Sequence, residues 1–394
     1  MANSRVLISG SGVAGPALAF WLVEQGYDVT VVERAPELRA GGYKVDVRGA
    51  ATTVLQRMGL HDAAKAEETG MRTTTYVKRD GRVIASLPAS LLMGRRGDDL
   101  EIMRGDLGRI LYDATAGDAT YVFGDAIAAM TEDADGVDVT FASGRTGRYA
   151  FVVGADGLHS ATRRLAFGEV EPHHLGAYIS IFSAPNVLGI DREEMNYAEP
   201  GRLTFAYALG ADQPATVGIV FAAPELSYDR RDVAAQKRLV REAMAGLGWR
   251  TADFLAALDD APDFYFDAIS QVEMPRWSSG RVVLLGDAGY CPSPASGQGT
   301  SLALVGAYVL AEELAKAGGA YATAFAAYEG ALRSYVEKNV IFGRKMVGDM
   351  VPGGRFAIAV RNYGMRTLRF HPRKEQVIER VLAPLHEAAN AITI

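Results

Sequence analysis

The first part of the chain alternates short apolar runs, glycine-rich turns and helical periodicity. Residues 5–9 (RVLIS) form an apolar run typical of a buried strand, residues 14–26 have the periodicity of a helix, and residues 28–33 (DVTVVE) predict a second strand. This succession has the length of a strand–helix–strand unit, in which the strands are parallel and the crossover is right-handed. Two later apolar runs, at residues 149–153 and 282–285, also precede glycine and predict further strands of a parallel sheet.

The middle of the chain has a different pattern. Residues 179–182, 203–209 and 217–221 alternate apolar and polar positions between turns rich in Pro, Gly and Asp, which predicts an antiparallel sheet. Residues 301–317, and most of the chain after residue 321, have helical periodicity. We therefore predict an α/β chain (α+β overall), in which a Rossmann-like domain with a parallel sheet is interleaved with an antiparallel-sheet domain and followed by C-terminal helices.

The order of these patterns also predicts domain boundaries. The Rossmann-like domain is expected to be discontinuous and to comprise residues 1–72, 98–172 and 280–330. The antiparallel-sheet domain is expected at residues 73–97 and 173–279, and a C-terminal helical segment at residues 331–394.

Composition restricts the classes of function. With a formal net charge of −6 and mostly dispersed basic residues, the 394-residue chain lacks the clustered cations of a nucleic-acid-binding protein. Its single cysteine, Cys291, excludes an intramolecular disulfide and a cysteine-based metal site and fits a cytoplasmic location, and we predict no metal site. No apolar run is long enough to span a bilayer. One arginine-rich stretch, residues 344–374, could guide an anionic substrate, touch a membrane surface or form a solvated helix face.

The first glycine motif, Gly10-Ser11-Gly12-Val13-Ala14-Gly15, follows a strand and opens a helix. Its glycines permit a tight turn, a close approach of backbone to a pyrophosphate, and close packing of helix on strand. Glu33 closes the second strand at the spacing where a carboxylate accepts ribose hydroxyl groups, which favours FAD or NAD over NADP as the dinucleotide bound there. The alternative is a glycine-rich turn that binds no nucleotide. The candidate cofactor-binding residues here are Gly10, Gly12, Ala14, Gly15, Glu33 and Arg34.

Two further glycine motifs follow the later strands. The second, Gly154-Ala155-Asp156-Gly157, is either a plain turn or part of a cofactor site. The third begins at Gly286 and leads through Asp287 and a glycine-rich loop into a helix, whose positive end would favour negative charge on a ring system. A carboxylate at Asp287 suits the hydroxyl groups of a ribityl chain. The candidate residues of the two motifs are Asp156, Asp287, Pro294, Gly297 and Gly299.

Together these residues resemble the class A flavin-dependent aromatic hydroxylases, the group of para-hydroxybenzoate hydroxylase. The likeness is closer to the tetracycline-inactivating monooxygenases and the hydroxylases of antibiotic pathways. It rests on the following stretches: GSGVAG with Glu33, GGYKVDVRG (residues 41–49), EIMRGDLGRIL (residues 101–111), GADGLHSATRR and GDAGYCPSPASGQG. The chain departs from the family pattern at Tyr290, where the family often has histidine, and at Ser293, where it often has proline.

The resemblance implies roles for individual residues. Glu33 would bind the adenosine ribose of FAD, and Arg104 would contact FAD as well. Asp156 would belong to a motif associated with both FAD and the nicotinamide cofactor, and Asp287 would bind the ribityl chain. Pro294 and residues 297–299 would line the isoalloxazine ring.

The resemblance also implies a reaction. NADPH or NADH would bind transiently and reduce FAD, and O2 would then form a C4a-hydroperoxyflavin that hydroxylates an aromatic or polycyclic small molecule, in natural-product biosynthesis or antibiotic inactivation. Phe205, Tyr207 and Phe221 on the middle sheet are candidates either for substrate contact or for the domain core. The alternatives are a non-catalytic FAD protein that shields a reactive intermediate, and a flavin-dependent reductase or halogenase, although the WxWxIP signature of the halogenases is absent. A monomer and a homodimer both remain open.

Overall fold

The computed structural model describes residues 4–38, 41–368 and 370–394. The strands are β1 (Arg5–Ser9), β2 (Asp28–Glu33), β3 (Lys44–Val47), β4 (Thr73–Val77), β5 (Val83–Pro88), β6 (Leu100–Met103), β7 (Thr120–Phe123), β8 (Ile127–Glu132), β9 (Val137–Phe141), β10 (Thr146–Tyr149), β11 (Phe151–Gly154), β12 (His173–Ala184), β13 (Glu193–Glu199), β14 (Arg202–Ala208), β15 (Ala215–Ala222), β16 (Tyr265–Gln271), β17 (Ser278–Ser279) and β18 (Val282–Leu284). The helices are α1 (Ala14–Glu24), α2 (Ala50–Arg57), α3 (His61–Ala66), α4 (Ala89–Met93), α5 (Arg104–Asp113), α6 (Ala161–Phe167), α7 (Val233–Met244), α8 (Thr251–Ala257), α9 (Asp287–Tyr290), α10 (Gly299–Lys316), α11 (Tyr321–Met350), α12 (Arg355–Leu368) and α13 (Lys374–Ala389).

The predicted strand–helix–strand unit is the centre of a sheet with the order β17-β18-β11-β1-β2-β7. All neighbours in this sheet are parallel except β17 and β18. Val6, Leu7 and Ile8 in β1 have no exposed surface, as expected for a parallel strand covered on both faces. The parallel sheet predicted from the sequence is thus confirmed, and β7 is a strand that the apolar pattern did not reveal.

A second sheet has the order β16-β12-β15-β14-β13-β4-β5 and is antiparallel except for the pair β4 and β13. Its side chains alternate between two apolar clusters. One face packs under α7 and α8, where Val240 and Phe254 are buried against the sheet. The opposite face, with Leu203 and Ile269, packs against Val347 of α11. The antiparallel sheet expected in the middle of the chain is therefore present, and both of its faces are covered.

The remaining helices surround the parallel sheet. Helix α10 is buried along most of its length and packs on α1 and α11, which makes it the central helix of the core. Helix α11 runs without interruption from Tyr321 to Met350, so the domain boundary expected at residue 330 lies inside a continuous helix. Of the helices in the described part of the chain, none combines the length and the apolar character needed to cross a lipid bilayer.

Two helical glycines give a matched test of packing around α10. An alanine Cβ at Gly306 would lie 2.2 Å from the hydroxyl oxygen of buried Tyr290, whereas one at Gly330, on an exposed side of α11, would have no neighbour within 4 Å. We expect Gly306→Ala to lower the free energy of unfolding by about 1–3 kcal/mol through overpacking. Gly330→Ala should raise it by about 0.5–1 kcal/mol, because alanine loses less backbone entropy than glycine on folding. Urea unfolding followed by circular dichroism checks both variants, and shifts of the same sign would contradict this packing.

Candidate active site

The three glycine motifs lie side by side at one edge of the parallel sheet. Ser9 pairs with Gly154, and Gly154 pairs with Leu284, so the turns that follow β1, β11 and β18 are adjacent. A Cβ at Gly10 (φ +109°) would lie 2.5 Å from the carbonyl oxygen of Ala155, in the second motif. A Cβ at Gly286, in the third motif, would lie 3.3 Å from Cβ of Ala14. The carboxyl ends of parallel strands are where ligands bind in such sheets, so the motifs form one candidate site.

The first turn leads into α1 with its donors uncovered. No side chain among the described residues caps this helix, so its first backbone N–H groups remain available to a ligand. A Cβ at Gly15 would lie 2.0 Å from the carbonyl oxygen of Gly10, which explains why only glycine fits there. A Cβ at Gly12 would lie 3.3 Å from Nη2 of Arg104, so this guanidinium extends over the turn. A helix N-terminus beside a guanidinium group is a fitting site for phosphate groups.

Glu33 lies at the end of β2 beside the same turn. Its Oε2 accepts a hydrogen bond from the backbone N–H of Ser11 at 2.9 Å, and its Oε1 accepts one from the N–H of Ala35 at 2.8 Å. Both oxygens are thereby oriented next to the glycine turn, where further lone pairs can accept ribose hydroxyl groups. Arg34 is exposed, and within the described residues its side chain makes no hydrogen bond or salt bridge.

The carboxylate of Asp156 serves its own motif. Oδ2 accepts hydrogen bonds from the N–H and the hydroxyl of Thr162 at 2.9 and 3.0 Å, and Oδ1 accepts one from the Ser160 hydroxyl. These contacts fix the start of α6. Asp156 therefore shapes the turn that carries the second motif. Arg163 is a residue to which the sequence motifs assigned no role. It is buried and donates to the carbonyl of Ala288 at 2.9 Å, which ties the second motif to the third.

The third motif places a carboxylate and a helix start next to each other. Asp287 begins α9, and a Cβ at Gly299, where α10 begins, would lie 3.6 Å from its Oδ1. Burial raises the pKa of the Asp287 carboxyl above its usual range, while the Arg104 guanidinium acts in the opposite direction. Asp287 and Arg104 are thus near enough to interact electrostatically across the site.

Within this motif Pro294 and Gly297 are exposed, whereas Gln298 between Gly297 and Gly299 is fully buried. Both amide atoms of the Gln298 side chain lack a hydrogen-bond partner among the described residues, and no side chain there caps α10. The unpartnered amide of Gln298 and the free N–H groups at the start of α10 can form hydrogen bonds with the polar edge of a heterocyclic ring.

An ion pair at the end of β3 is a second feature that the sequence did not reveal as part of the site. Nη2 of Arg48 lies 2.9 Å from Oδ2 of Asp46, and the N–H of Arg48 donates to the hydroxyl of Ser301 in α10 at 3.3 Å. Asp46 Oδ1 and Arg48 Nη1 are buried without a partner among the described residues. Both residues fall in the GGYKVDVRG stretch. The sequence feature that could have indicated this pair is the occurrence of charged residues in and next to a short strand that packs against α10.

The second sheet presents Phe205 and Tyr207 toward this site. Phe205 and Ala295, a residue of the third motif, pack against the same apolar cluster. The hydroxyl of Tyr207 accepts a hydrogen bond from the N–H of Lys44 at 2.9 Å, and burial raises its pKa to about 12, so it stays protonated. Phe221 has the opposite orientation and stacks on Tyr178 in the cluster under α7. Phe221 is therefore a core residue and not a candidate substrate contact.

Lys44 joins the two-stranded sheet of β3 and β6 to the antiparallel sheet. Its Nζ lies 2.8 Å from Oε2 of Glu194 on β13 and 3.3 Å from Oε2 of Glu101 on β6. Burial by itself lowers the pKa of the Lys44 ammonium, but the two carboxylates outweigh this effect and the pKa is raised overall. This buried cluster fixes the position of Tyr207, and with it the aromatic side of the candidate site.

His159 and Asp267 form another link between the sheets. Nε2 of His159 lies 2.7 Å from Oδ2 of Asp267, and Nη1 of Arg230 lies 2.7 Å from Nδ1 of His159. Since a guanidinium can only donate, Nδ1 accepts and Nε2 carries the proton that Asp267 accepts, which makes this histidine the neutral Nε2–H tautomer. The loop after β11 is thereby joined to β16 of the second sheet.

Among the described residues, no group of three His, Cys, Asp or Glu side chains could hold a metal ion.

Comparison with known proteins agrees with this geometry. Residues 3–347 match the family described as "FAD binding domain". The chain is 40% identical over 343 residues to a flavin-dependent monooxygenase of Legionella longbeachae. The alignment covers 86% of this chain and 88% of that protein. It is 44% identical over 353 residues to an uncharacterized protein of Mycobacterium tuberculosis, with coverage of 89% and 94%. The crystal structure of tetracycline destructase Tet(55) is similar with a TM-score of 0.85 and 38% identity, over 100% of this chain and 99% of that one.

We infer that Arg104 contributes charge to binding the phosphates of FAD. Arg104→Gln should weaken FAD binding about ten- to hundredfold, the effect expected for losing a hydrogen bond to a charged group. Arg109 is a matched control, because it lies on the same helix α5 but is exposed and pairs with Glu67 at 3.3 Å. Arg109→Gln should change the dissociation constant by less than about threefold. Titration of the apoprotein with FAD, followed by flavin fluorescence, measures both; equal effects would remove Arg104 from the site.

We also infer that the Asp287 carboxylate accepts hydroxyl groups of the ribityl chain. Asp287→Ala removes both acceptor oxygens and should speed FAD dissociation at least about tenfold. Asp287→Asn keeps one acceptor oxygen and should lie between the wild type and the alanine variant. The rate of FAD release after dilution is the measurement. Unchanged flavin occupancy in Asp287→Ala would refute the assignment.

Proposed function

The chain belongs to the FAD-binding family of flavin-dependent monooxygenases, and from this premise we propose that it uses NADPH or NADH to hydroxylate an aromatic or polycyclic small molecule. The observation that supports this most is the convergence of the three glycine turns beside Phe205 and Tyr207. One set of residues fits an extended dinucleotide, and the adjacent aromatic face fits a flat substrate. When bound, FAD supplies the transfer of electrons to O2 and of an oxygen atom to the substrate.

The protein's own contribution is position. Arg104 and the start of α1 would hold the phosphates, Glu33 the ribose and Asp287 the ribityl chain, which fixes the ring end of the cofactor near α10. The buried side chains of Gln298, Asp46 and Arg48 lie around that helix start or on the strand joined to it, and could satisfy polar atoms of the ring. Holding both reactants in place is the main source of acceleration that this site offers.

The second contribution is exclusion of water from the reacting centre, which would otherwise divert the oxygen to hydrogen peroxide. Phe205 covers Gly218, where a Cβ would lie 1.9 Å from its ring. Tyr207 is 1% exposed, and its raised pKa keeps its hydroxyl neutral at physiological pH. Phe205 is only partly buried and offers an uncharged aromatic surface, which favours a flat, uncharged ring system as substrate. The similar tetracycline destructase is named for a fused-ring molecule, which supports a polycyclic substrate in this chain as well.

The test measures NADPH and NADH oxidation, O2 uptake and oxygenated product with a panel of aromatic and fused-ring phenols. We expect at least one compound to accelerate oxidation of the reduced nucleotide and to yield a product heavier by one oxygen atom. Reduction of the flavin without any such product would instead favour a reductase. Retention of FAD without acceptance of hydride would favour a role in binding alone.

A pair of phenylalanines on opposite faces of the second sheet tests the substrate side. Phe205→Leu should lower the ratio of product formed to nucleotide oxidised and raise the substrate KM, since it opens the aromatic face. Phe221→Leu, on the face under α7, should lower stability by about 1 kcal/mol and leave that ratio unchanged. If the two variants lose coupling equally, Phe205 does not face the substrate.

A further inference from the structure

Helix α12 exposes three large apolar side chains. None of its residues is buried. Phe356 is 83% exposed, Val360 56% and Tyr363 72%. A helix on a globular protein normally turns such residues toward the core, and an exposed aromatic stripe marks a surface that binds something.

These three residues form one stripe. They are spaced four and three positions apart, so they share one face of the helix. The opposite side holds the helix on the protein: the Arg361 guanidinium lies 5.5 Å from the centre of the Tyr76 ring on β4, and α12 contacts β5 and β13. The half-buried residues of α12, which face the protein, are Ile358, Arg361, Asn362, Met365 and Leu368. The exposed stripe lies on the other side of the helix and is directed away from the protein.

The segment that contains α12 is rich in positive charge. Between Asp349 and Glu375 the sequence has no acidic residue, although the whole chain carries a net charge of −6. The same stretch contains the basic residues Arg355, Arg361, Arg366, Arg369, Arg373 and Lys374. The charge and the exposed stripe therefore occur together in one short segment.

Two of these cations flank the stripe. Arg355 and Arg366 are eleven residues apart, which is three helical turns, so they lie along the same edge of the helix. Both are exposed, and neither forms a salt bridge with a described acidic residue. Some other exposed arginines of this chain do have carboxylate partners: Arg148 pairs with Asp133 at 2.6 Å, and Arg82 pairs with Asp80 at 2.6 Å. The charges of Arg355 and Arg366 beside the stripe are thus not neutralised by a described carboxylate.

We propose that α12 is an interfacial helix that docks this protein onto a membrane surface of anionic phospholipid. Such a surface presents negative headgroups above an apolar layer, and it matches a stripe of Phe, Val and Tyr edged by arginine. A second copy of the chain matches it less well, because a symmetric contact between two α12 helices would bring the same unneutralised cations together. The stripe enters the headgroup region and the helix lies flat on the surface.

The test is co-sedimentation of the FAD-loaded full chain with vesicles. Binding is expected to vesicles of phosphatidylcholine with phosphatidylglycerol, and to weaken with added salt and on vesicles of phosphatidylcholine alone. The double variant Arg355→Gln/Arg366→Gln should bind roughly twentyfold more weakly, as each cation near an anionic surface contributes about a factor of five. The triple variant Phe356→Ser/Val360→Ser/Tyr363→Ser should reduce binding at least about tenfold.

Matched controls come from elsewhere on the surface. Ile341→Ser removes an apolar side chain that is 54% exposed on α11, and Arg238→Gln removes an exposed cation on α7. Both should bind vesicles like the wild type, and all variants should retain FAD. Three results would overturn the proposal. The first is no binding to the anionic vesicles, and the second is a loss of vesicle binding in the control variants equal to that in the α12 variants. The third is a wild-type protein that does not bind vesicles but forms a dimer, and a triple variant that does not form this dimer.

Discussion

The structure depends on the close approach of backbone between the turns after β1 and β11. Gly10 lies against Ala155 at a distance that no side chain would permit, and its φ of +109° belongs to a region that favours glycine. Because β1 lies between β2 and β11, this approach also sets the position of Glu33 and of the start of α1. The candidate dinucleotide site is therefore a consequence of how tightly two strand ends pack.

The rest of the molecule keeps that edge of the sheet in place. Buried Arg163 connects the second motif to the third through the Ala288 carbonyl, and Arg48 connects β3 to α10 through Ser301. Both contacts join segments that are far apart in sequence. The second sheet is held by polar links of the same kind, Lys44 to Glu194 and His159 to Asp267. Removing one partner of a buried pair such as Lys44 and Glu194 would leave an uncompensated charge, so this pair favours the arrangement that keeps its partners together.

Much of the fold could be predicted from local patterns. The continuous apolar run of β1 and the glycines after it indicate a parallel strand and a dinucleotide turn, because few other structures need that combination. The alternating residues of β14 and β15 indicate a sheet with two covered faces, but not which face meets the site. That choice depends on long-range packing, and it is why Phe205 and Phe221 could not be told apart beforehand.

Other features were outside the reach of the sequence for related reasons. The carboxylate of Asp156 accepts hydrogen bonds from Thr162 and Ser160, a local capping role that its glycine-rich motif does not reveal. Ser293 has φ +83°, a value that proline cannot adopt, so the loop before α10 follows a path that its serine permits. The boundary expected at residue 330 lies inside α11, and apolar periodicity alone does not reveal that this helix continues.

The central claim is that strand ends from distant parts of the chain hold one extended flavin nucleotide. The most direct measurement is the amount of FAD released on denaturation per chain of purified, reconstituted protein, together with its visible spectrum before release. The account predicts a yellow protein with one FAD per chain. A colourless protein that takes up no flavin on reconstitution would contradict it.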